Sequence, residues 1–174
     1  MKSGPAEFRR TTPVLVLGLG NILLGDDGFG PTVVGDLAKQ YNYVNDLVEF
    51  LDGGTQGLDL LGRIADRAAL LVLDAVSTGR APGSVSVLKG QEVLRFATSR
   101  PTTAHEGNAG ELLATAAFLG ELPEQCFLVG VEPKSVKIGL GLSDDVHRSL
   151  RPALEKAQNI LDMLLADLVE PAHA

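Results

Sequence analysis

The sequence predicts an α/β fold: a three-layer α/β/α sandwich on a mostly parallel, twisted sheet of about five strands, with one antiparallel edge strand. Three observations predict it. Val14–Leu17, Leu70–Leu73 and Phe127–Val129 are unbroken apolar runs of strand length, as strands covered on both faces require. Amphipathic stretches of helical period separate most of these runs, the alternation that builds parallel sheets through right-handed crossovers. The chain has 174 residues and is 45% hydrophobic, enough for one sizeable core. A single domain is expected over residues 13–168, with 1–12 and 169–174 as flexible tails.

The first strand is Pro13–Leu17, and a turn punctuated by Gly18, Gly20 and Gly25 follows it. The first helix runs from about Gly30 to Tyr41. Pro31 suits its first turn, and Val33, Val34, Leu37, Ala38 and Tyr41 share an apolar face. Leu47–Leu51 is the second strand, ending in Asp52-Gly53-Gly54-Thr55. A second helix is expected over Gly57–Asp66, with Leu58, Leu61 and Ala65 inward. Ala69–Asp74 is the third strand. The connection Ala75–Gly83 holds Gly79, Pro82 and Gly83 and is too short and broken for a helical crossover. Val85–Leu88 is therefore expected to be an antiparallel neighbour of the third strand, at a sheet edge. Glu92–Ala97 reads as a short helix and Thr98–Gly107 as a loop. Asn108 and Glu111 have capping-box spacing before the next helix, which turns Leu112, Leu113, Ala116 and Ala117 inward. Gln125–Val131 is the last strand and Glu132–Gly141 a loop. Ser143 caps the final helix, Asp144 and Asp145 oppose its dipole, and apolar residues from Val146 to Leu168 keep helical spacing.

Composition excludes several classes. The net charge is −7, from 22 acidic and 15 basic residues, so no cationic excess exists to neutralise nucleic-acid phosphates. The one cysteine, Cys126, permits no internal disulfide and fits a reducing cytoplasm. No apolar run is long enough to span a bilayer. Lys2, Arg9 and Arg10 before an apolar stretch imitate a signal peptide, but the small-residue cleavage pattern is missing and Asp26-Asp27 follow at once. No GxSxG elbow supports serine hydrolysis. Gly18-Leu19-Gly20 opens like a dinucleotide fingerprint with Asp52 as its ribose acid. Leu23 stands where the third glycine belongs, and the paired aspartates would repel a pyrophosphate.

In open α/β sheets, ligands collect at the carboxyl ends of the strands. There the sequence puts Asp26 and Asp27 after the first strand, Asp52 after the second and Asp74 after the third. One of the Asp26-Asp27 pair reads as a turn aspartate, and Asp27 also suits the positive end of the first helix. Asp74 follows four buried apolar residues, where a carboxylate is costly to keep dry without a partner. Asp52 reads first as a brace for the Gly53-Gly54 turn. His105 is an exposed loop residue by default and gains weight only because its loop can fold over the same edge. His147 and His173 read as surface residues, and Cys126 as a small core residue. Two carboxylates and an imidazole with open positions suit a divalent transition metal, whereas structural zinc sites are fuller and richer in sulfur.

Several motifs taken together carry a resemblance. They are GLGNILLGDDGFG at Gly18–Gly30, the acid-Gly-Gly-Thr of Asp52–Thr55, LVLDAV at Leu71–Val76 and the histidine loop before the third main helix. LVGVEP at Leu128–Pro133 and GLS at Gly141–Ser143 complete the set. Over about Val14–Leu165 the chain resembles the NiFe-hydrogenase maturation endopeptidases. The resemblance implies a cytoplasmic protease that removes a short C-terminal extension from the nickel-loaded hydrogenase large-subunit precursor. It also implies a metal site made by an acid in the first loop, an aspartate after the third strand and a histidine. These are Asp27, Asp74 and His105, expected to be both catalytic and metal-contacting. Nickel is expected to arrive with the precursor, and other divalent metals to be able to occupy the site. Metal polarisation of the scissile carbonyl and a proton-sharing carboxylate pair are both open chemistries. Asp52, Gly53, Gly54 and Thr55 are expected to meet the peptide. The chain departs from the pattern at Thr103-Ala104-His105-Glu106: many relatives have proline or leucine before the histidine and glutamine after it, which makes Glu106 a rival ligand. Two other classes compete. Peptidyl-tRNA hydrolases share the GLGN strand-turn but continue with Pro-Gly and a His-Asn pair, where this chain has Ile22-Leu23 and two acids. The other is a non-catalytic chaperone that senses metal on the large subunit.

Overall fold

The computed structural model describes residues 12–99 and 109–169. Residues 1–11 and 170–174 of the expected tails, Asn108 and the loop carrying His105 and Glu106 lie outside the described residues. Five strands form one sheet: β1 (Val14–Leu19), β2 (Val48–Gly54), β3 (Ala69–Ala75), β4 (Val85–Lys89) and β5 (Gln125–Val131), in the order β2-β1-β3-β5-β4. β1 pairs parallel with β2 and β3, β3 pairs parallel with β5, and β4 closes the edge antiparallel to β5. The broken Ala75–Gly83 connection produces that reversal and the edge position, as expected, but β4 neighbours β5 and not the strand it follows. The chain turns back because Gly83 N–H donates to Glu132 O at 2.8 Å and Glu132 N–H to Ser84 O at 2.9 Å.

The helices are α1 (Phe29–Gln40), α2 (Leu61–Ile64), α3 (Gln91–Thr98), α4 (Ala109–Phe118) and α5 (Asp144–Val169). β1 shows why two layers form. Its period of two sends Val14 and Val16 into a core with α1 and α5, and Leu15, Leu17 and Leu19 into a second core with α2, α3 and α4. Every residue of β1 is buried. The chain leaves β1 through α1 to reach β2 on one side. It then returns over the opposite face through α2 to β3 on the other side. The switch point of the sheet therefore lies between β1 and β3, where open α/β sheets form a crevice.

α1 sits very close to the sheet. A Cβ on Gly30 would lie 2.2 Å from Leu19 O and 2.4 Å from Leu73 O, and one on Gly18 would lie 2.5 Å from Gly30 O. The two glycines bring the start of α1 down onto the carboxyl ends of β1 and β3.

Three expectations need correction. The helix expected over Gly57–Asp66 is a 3-10 turn, Gly57–Leu60, followed by the single turn α2. The tighter winding rotates the face inward at Leu60 and Ile64, so Leu58, expected inside, is 43% exposed. Asp66 ends the segment with φ +61°. Thr98, expected in a loop, closes α3, its hydroxyl donating to Leu94 O at 2.9 Å. The strands also run further than expected, β1 to Leu19 and β2 to Gly54.

At the outer strand β2, Glu49 pairs with both Arg63 and Arg67. Arg67 is buried, and its Nη1 also donates to Thr12 O at 2.8 Å and Thr12 Oγ1 at 2.5 Å. No helix among the described residues is long and apolar enough to cross a membrane.

Candidate functional site at the carboxyl edge of the sheet

Because β1, β2, β3 and β5 are parallel, the acids that follow them collect on one edge. Their surroundings divide them. Asp26 is buried within the 3-10 turn Gly25–Gly28. Its carboxylate accepts from the backbone N–H groups of Lys134 (2.8 Å), Ser135 (3.0 Å) and Ser143 (2.6 Å), and from the Ser143 hydroxyl (2.9 Å). Burial alone would raise its pKa; the donors from Ser143, Ser135 and Lys134 outweigh burial and hold it below the ordinary value. A carboxylate whose oxygens are filled in this way is a structural tie. Asp26 is thus the structural member of the pair, but it ties its turn to distant backbone and does not brace the turn itself.

Asp27, the next residue, is only partly buried. Its Oδ2 accepts the Asn21 N–H at 2.7 Å, and Asn21 Oδ1 accepts the Leu23 N–H at 2.9 Å. The chain folds back this tightly because Gly20 takes φ +126°, where a Cβ would fall 1.8 Å from Asp27 O. The turn bearing Asp27 packs against the end of β3. Asp74 lies on that end, buried, and its Oδ2 accepts the Ala109 N–H at the start of α4 at 3.2 Å. Asp27, in the turn after β1, and Asp74, at the end of the neighbouring β3, therefore flank the switch point.

Asp52 stands on β2, on the far side of β1 from β3. It is exposed, and its Oδ1 accepts the Gly54 N–H at 3.0 Å, so it braces its own turn. Gly53 is buried where a Cβ would meet Leu17, Leu60 and Leu19 at 2.8–3.0 Å. Gly54 O receives the Gly20 N–H at 3.0 Å, which ties this turn to the glycine turn after β1. Thr55 is exposed.

Glu132, immediately after β5, is the acid that residue-level reasoning missed. It is buried and accepts from Thr78 N–H (2.6 Å), Thr78 Oγ1 (2.7 Å) and Gly79 N–H (3.3 Å). Against the raising effect of burial, these donors and the Arg80 backbone hold it below the ordinary glutamate value. Glu132 anchors the segment that leads away from Asp74. Beyond its place in the LVGVEP motif, its signal is its position directly after a buried apolar strand, the kind of signal that singled out Asp74.

Among the described residues no group of three His, Cys, Asp or Glu side chains is arranged to hold a metal ion. The third expected donor, His105, and its neighbour Glu106 lie outside them. Cys126 contributes no thiolate: it is buried in the core, and burial pushes its thiol up to about 12. The donors this edge presents are carboxylate oxygens, which accept hard and borderline divalent ions.

Comparison with known proteins agrees with this architecture. The family described as hydrogenase maturation protease matches residues 31–160. The hydrogenase 2 maturation protease of Escherichia coli is 41% identical over 144 residues, covering 82% of this chain and 87% of that protein. The solved structure of the hydrogenase maturating endopeptidase HybD from Escherichia coli superposes with a TM-score of 0.75 at 36% identity, covering 87% of this chain and 93% of that one. The NiFe hydrogenase maturation protease HybD from Thermococcus kodakarensis superposes with a TM-score of 0.66 at 28% identity, covering 86% and 99%. These matches favour neither a peptidyl-tRNA hydrolase nor a non-catalytic chaperone. With its sheet order, its acid-lined edge and this extent of similarity, the chain belongs to the hydrogenase maturation proteases, a family of peptide hydrolases.

Proposed function

We propose that this chain is the cytoplasmic endopeptidase that removes the C-terminal extension of a nickel-loaded NiFe-hydrogenase large-subunit precursor, using Asp27, Asp74 and His105. The observation that carries the reading is the pair of acids, Asp27 and Asp74, on either side of the sheet's switch point, each accepting a backbone N–H there, whereas Asp26, Glu132 and Asp52 tie loops and turns away from it. The nickel belongs to the substrate. Two carboxylates and one imidazole make a modest oxygen-nitrogen set, suited to an ion touched in passing rather than retained. An ion held there would polarise a neighbouring carbonyl or acidify a water. The chain's own part is positional. Asn21 N–H orients Asp27 and Ala109 N–H orients Asp74, so both oxygens are aimed before substrate arrives. Asp52 and Thr55, exposed beside this edge, meet the peptide through the Gly53-Gly54 turn.

The test incubates purified protein with nickel-loaded and nickel-free precursor and reads product mass. Only nickel-loaded precursor should be shortened. Asp27→Asn, Asp74→Asn and His105→Ala should each lower the rate by at least about 100-fold with an unchanged circular dichroism spectrum. Asparagine at 74 retains an oxygen for the Ala109 N–H. Full processing by the Asp74→Asn and His105→Ala proteins would refute the assignment. Equal cleavage of nickel-free precursor would refute the role of the metal.

A further inference from the structure

Twelve large hydrophobic residues are exposed among the described residues, and five of them fall on two segments beside Asp27. Ile22 (58% exposed) and Leu23 (56%) lie between the glycine turn and the acids; Val136 (43%), Ile138 (92%) and Leu140 (82%) lie on the loop after β5. The two segments are joined. Gly25 N–H donates to Gly139 O at 2.9 Å, Gly139 N–H donates to Leu23 O at 3.0 Å, and Leu24 and Gly139 form a parallel bridge. Ile138 and Leu140 flank the bridged Gly139, so both are held beside Leu23 and Leu24. Isolated exposed aliphatic residues are ordinary, but a cluster built by hydrogen bonds between two loops is not.

The patch is continuous with the acid-bearing turn. Asn21, which donates to Asp27, immediately precedes Ile22, and Ile22 Cα lies 3.2 Å from where a Cβ on Gly28 would stand. Its charge also differs from the rest of the chain. The chain carries a net −7, yet the charge within this patch is Lys137, which is exposed and forms no ion pair among the described residues. Lys134, at the rim, is engaged by Asp145 at 2.7 Å.

We infer that Ile22, Leu23, Val136, Ile138 and Leu140 form the docking surface for an extended, aliphatic segment of the precursor that carries a carboxylate opposite Lys137. The surface thereby sets which peptide reaches Asp27. This inference rests on the proposed processing reaction and adds to it the chemistry of the segment recognised. Apolar burial supplies the affinity, and the lysine fixes the register.

The test measures processing of nickel-loaded precursor over a range of precursor concentrations, with direct binding of precursor to immobilised protein alongside. The double variant Ile138→Ser, Leu140→Ser should raise the half-saturating concentration at least ten-fold and weaken binding by the same factor. Lys137→Glu should weaken binding more at low than at high ionic strength. The control is Phe118→Ser, Leu119→Ser. It removes hydrophobic exposure at and just beyond the far end of α4, which points away from the edge where Ala109 meets Asp74, and both readouts should stay unchanged. If the unaltered protein processes precursor and the Ile138/Leu140 variant matches it in both readouts, the docking surface is wrong and the processing reaction stands. If the unaltered protein binds precursor without shortening it, the reaction is wrong; loss of that binding in the variant then still supports the surface. A dimer of the unaltered protein that the same variant makes monomeric, with precursor binding intact, would assign the patch to a second copy of this chain and overturn the inference.

Discussion

At position 30 the backbone has no space for a side chain. The atoms that a Cβ on Gly30 would strike, Leu19 O, Leu73 O and Leu19 N, all belong to strand backbone and cannot move aside without breaking the sheet. Gly30→Ala should therefore cost at least about 3 kcal/mol, the upper range for overpacking a tight site, read as a shift in the urea unfolding midpoint. Gly62→Ala is the contrast. That glycine lies in α2 with nothing within 4 Å of its missing Cβ, so alanine should be neutral or stabilising by up to about 1 kcal/mol. An alanine at 30 that leaves the midpoint unchanged would contradict the packing. The motif advertised its glycines as turn-makers, and Gly20 and Gly25 do have positive φ. Gly18 and Gly30 serve instead to let α1 approach the sheet, a distinction only the packed structure draws.

Between elements, Asp26 fastens the turn after β1 to the loop after β5. Its donors are 108, 109 and 117 residues away in sequence. Asp26→Asn turns an amide toward donors that need an acceptor. It should destabilise the protein by about 3 kcal/mol, within the range for breaking a charged buried network. Amides 134–143 should lose protection from hydrogen exchange before those of β1 and β3 do. Equal loss across the sheet would mean that the carboxylate does not act locally. The same contrast explains what could be read from sequence. The five strands, their mostly parallel order and the antiparallel β4 were legible because neighbouring residues encode them: unbroken apolar runs, amphipathic spacers and one glycine- and proline-broken connection. The inward face of the second helix was misjudged because periodicity assumes 3.6 residues per turn and Gly57–Leu60 winds more tightly. The roles of Asp26 and Glu132 were illegible because no local pattern names partners so far along the chain. Of the expected site, the edge positions of Asp27 and Asp74 follow from strand order, whereas His105 lies outside the described residues.

For the molecule as a whole, two of the buried carboxylates, Asp26 and Glu132, make folding depend on acidity. Asp26 and Glu132 are both held below their ordinary values of 3.8 and 4.5. A carboxylate depressed in the folded state contributes stability that is present above its unfolded value and lost as pH falls through its folded value. Stability should thus be flat from pH 7 to about 5 and fall below about 4.5. Glu132→Gln should cost about 2 kcal/mol at pH 7, and the gap from the unaltered protein should narrow as the pH drops toward 3; a gap that stays constant or widens would refute the linkage. The ion cluster on β2 has a different consequence. β2 is a border of the sheet, where an incoming chain could add a strand. Glu49 and the half-exposed Arg63 put two charges beside that border, with Arg67 buried behind them, and a foreign strand laid there would have to strip water from the outer pair without offering anything in exchange. Neutralising Glu49 and Arg63 should therefore raise the tendency of the folded protein to associate through this border.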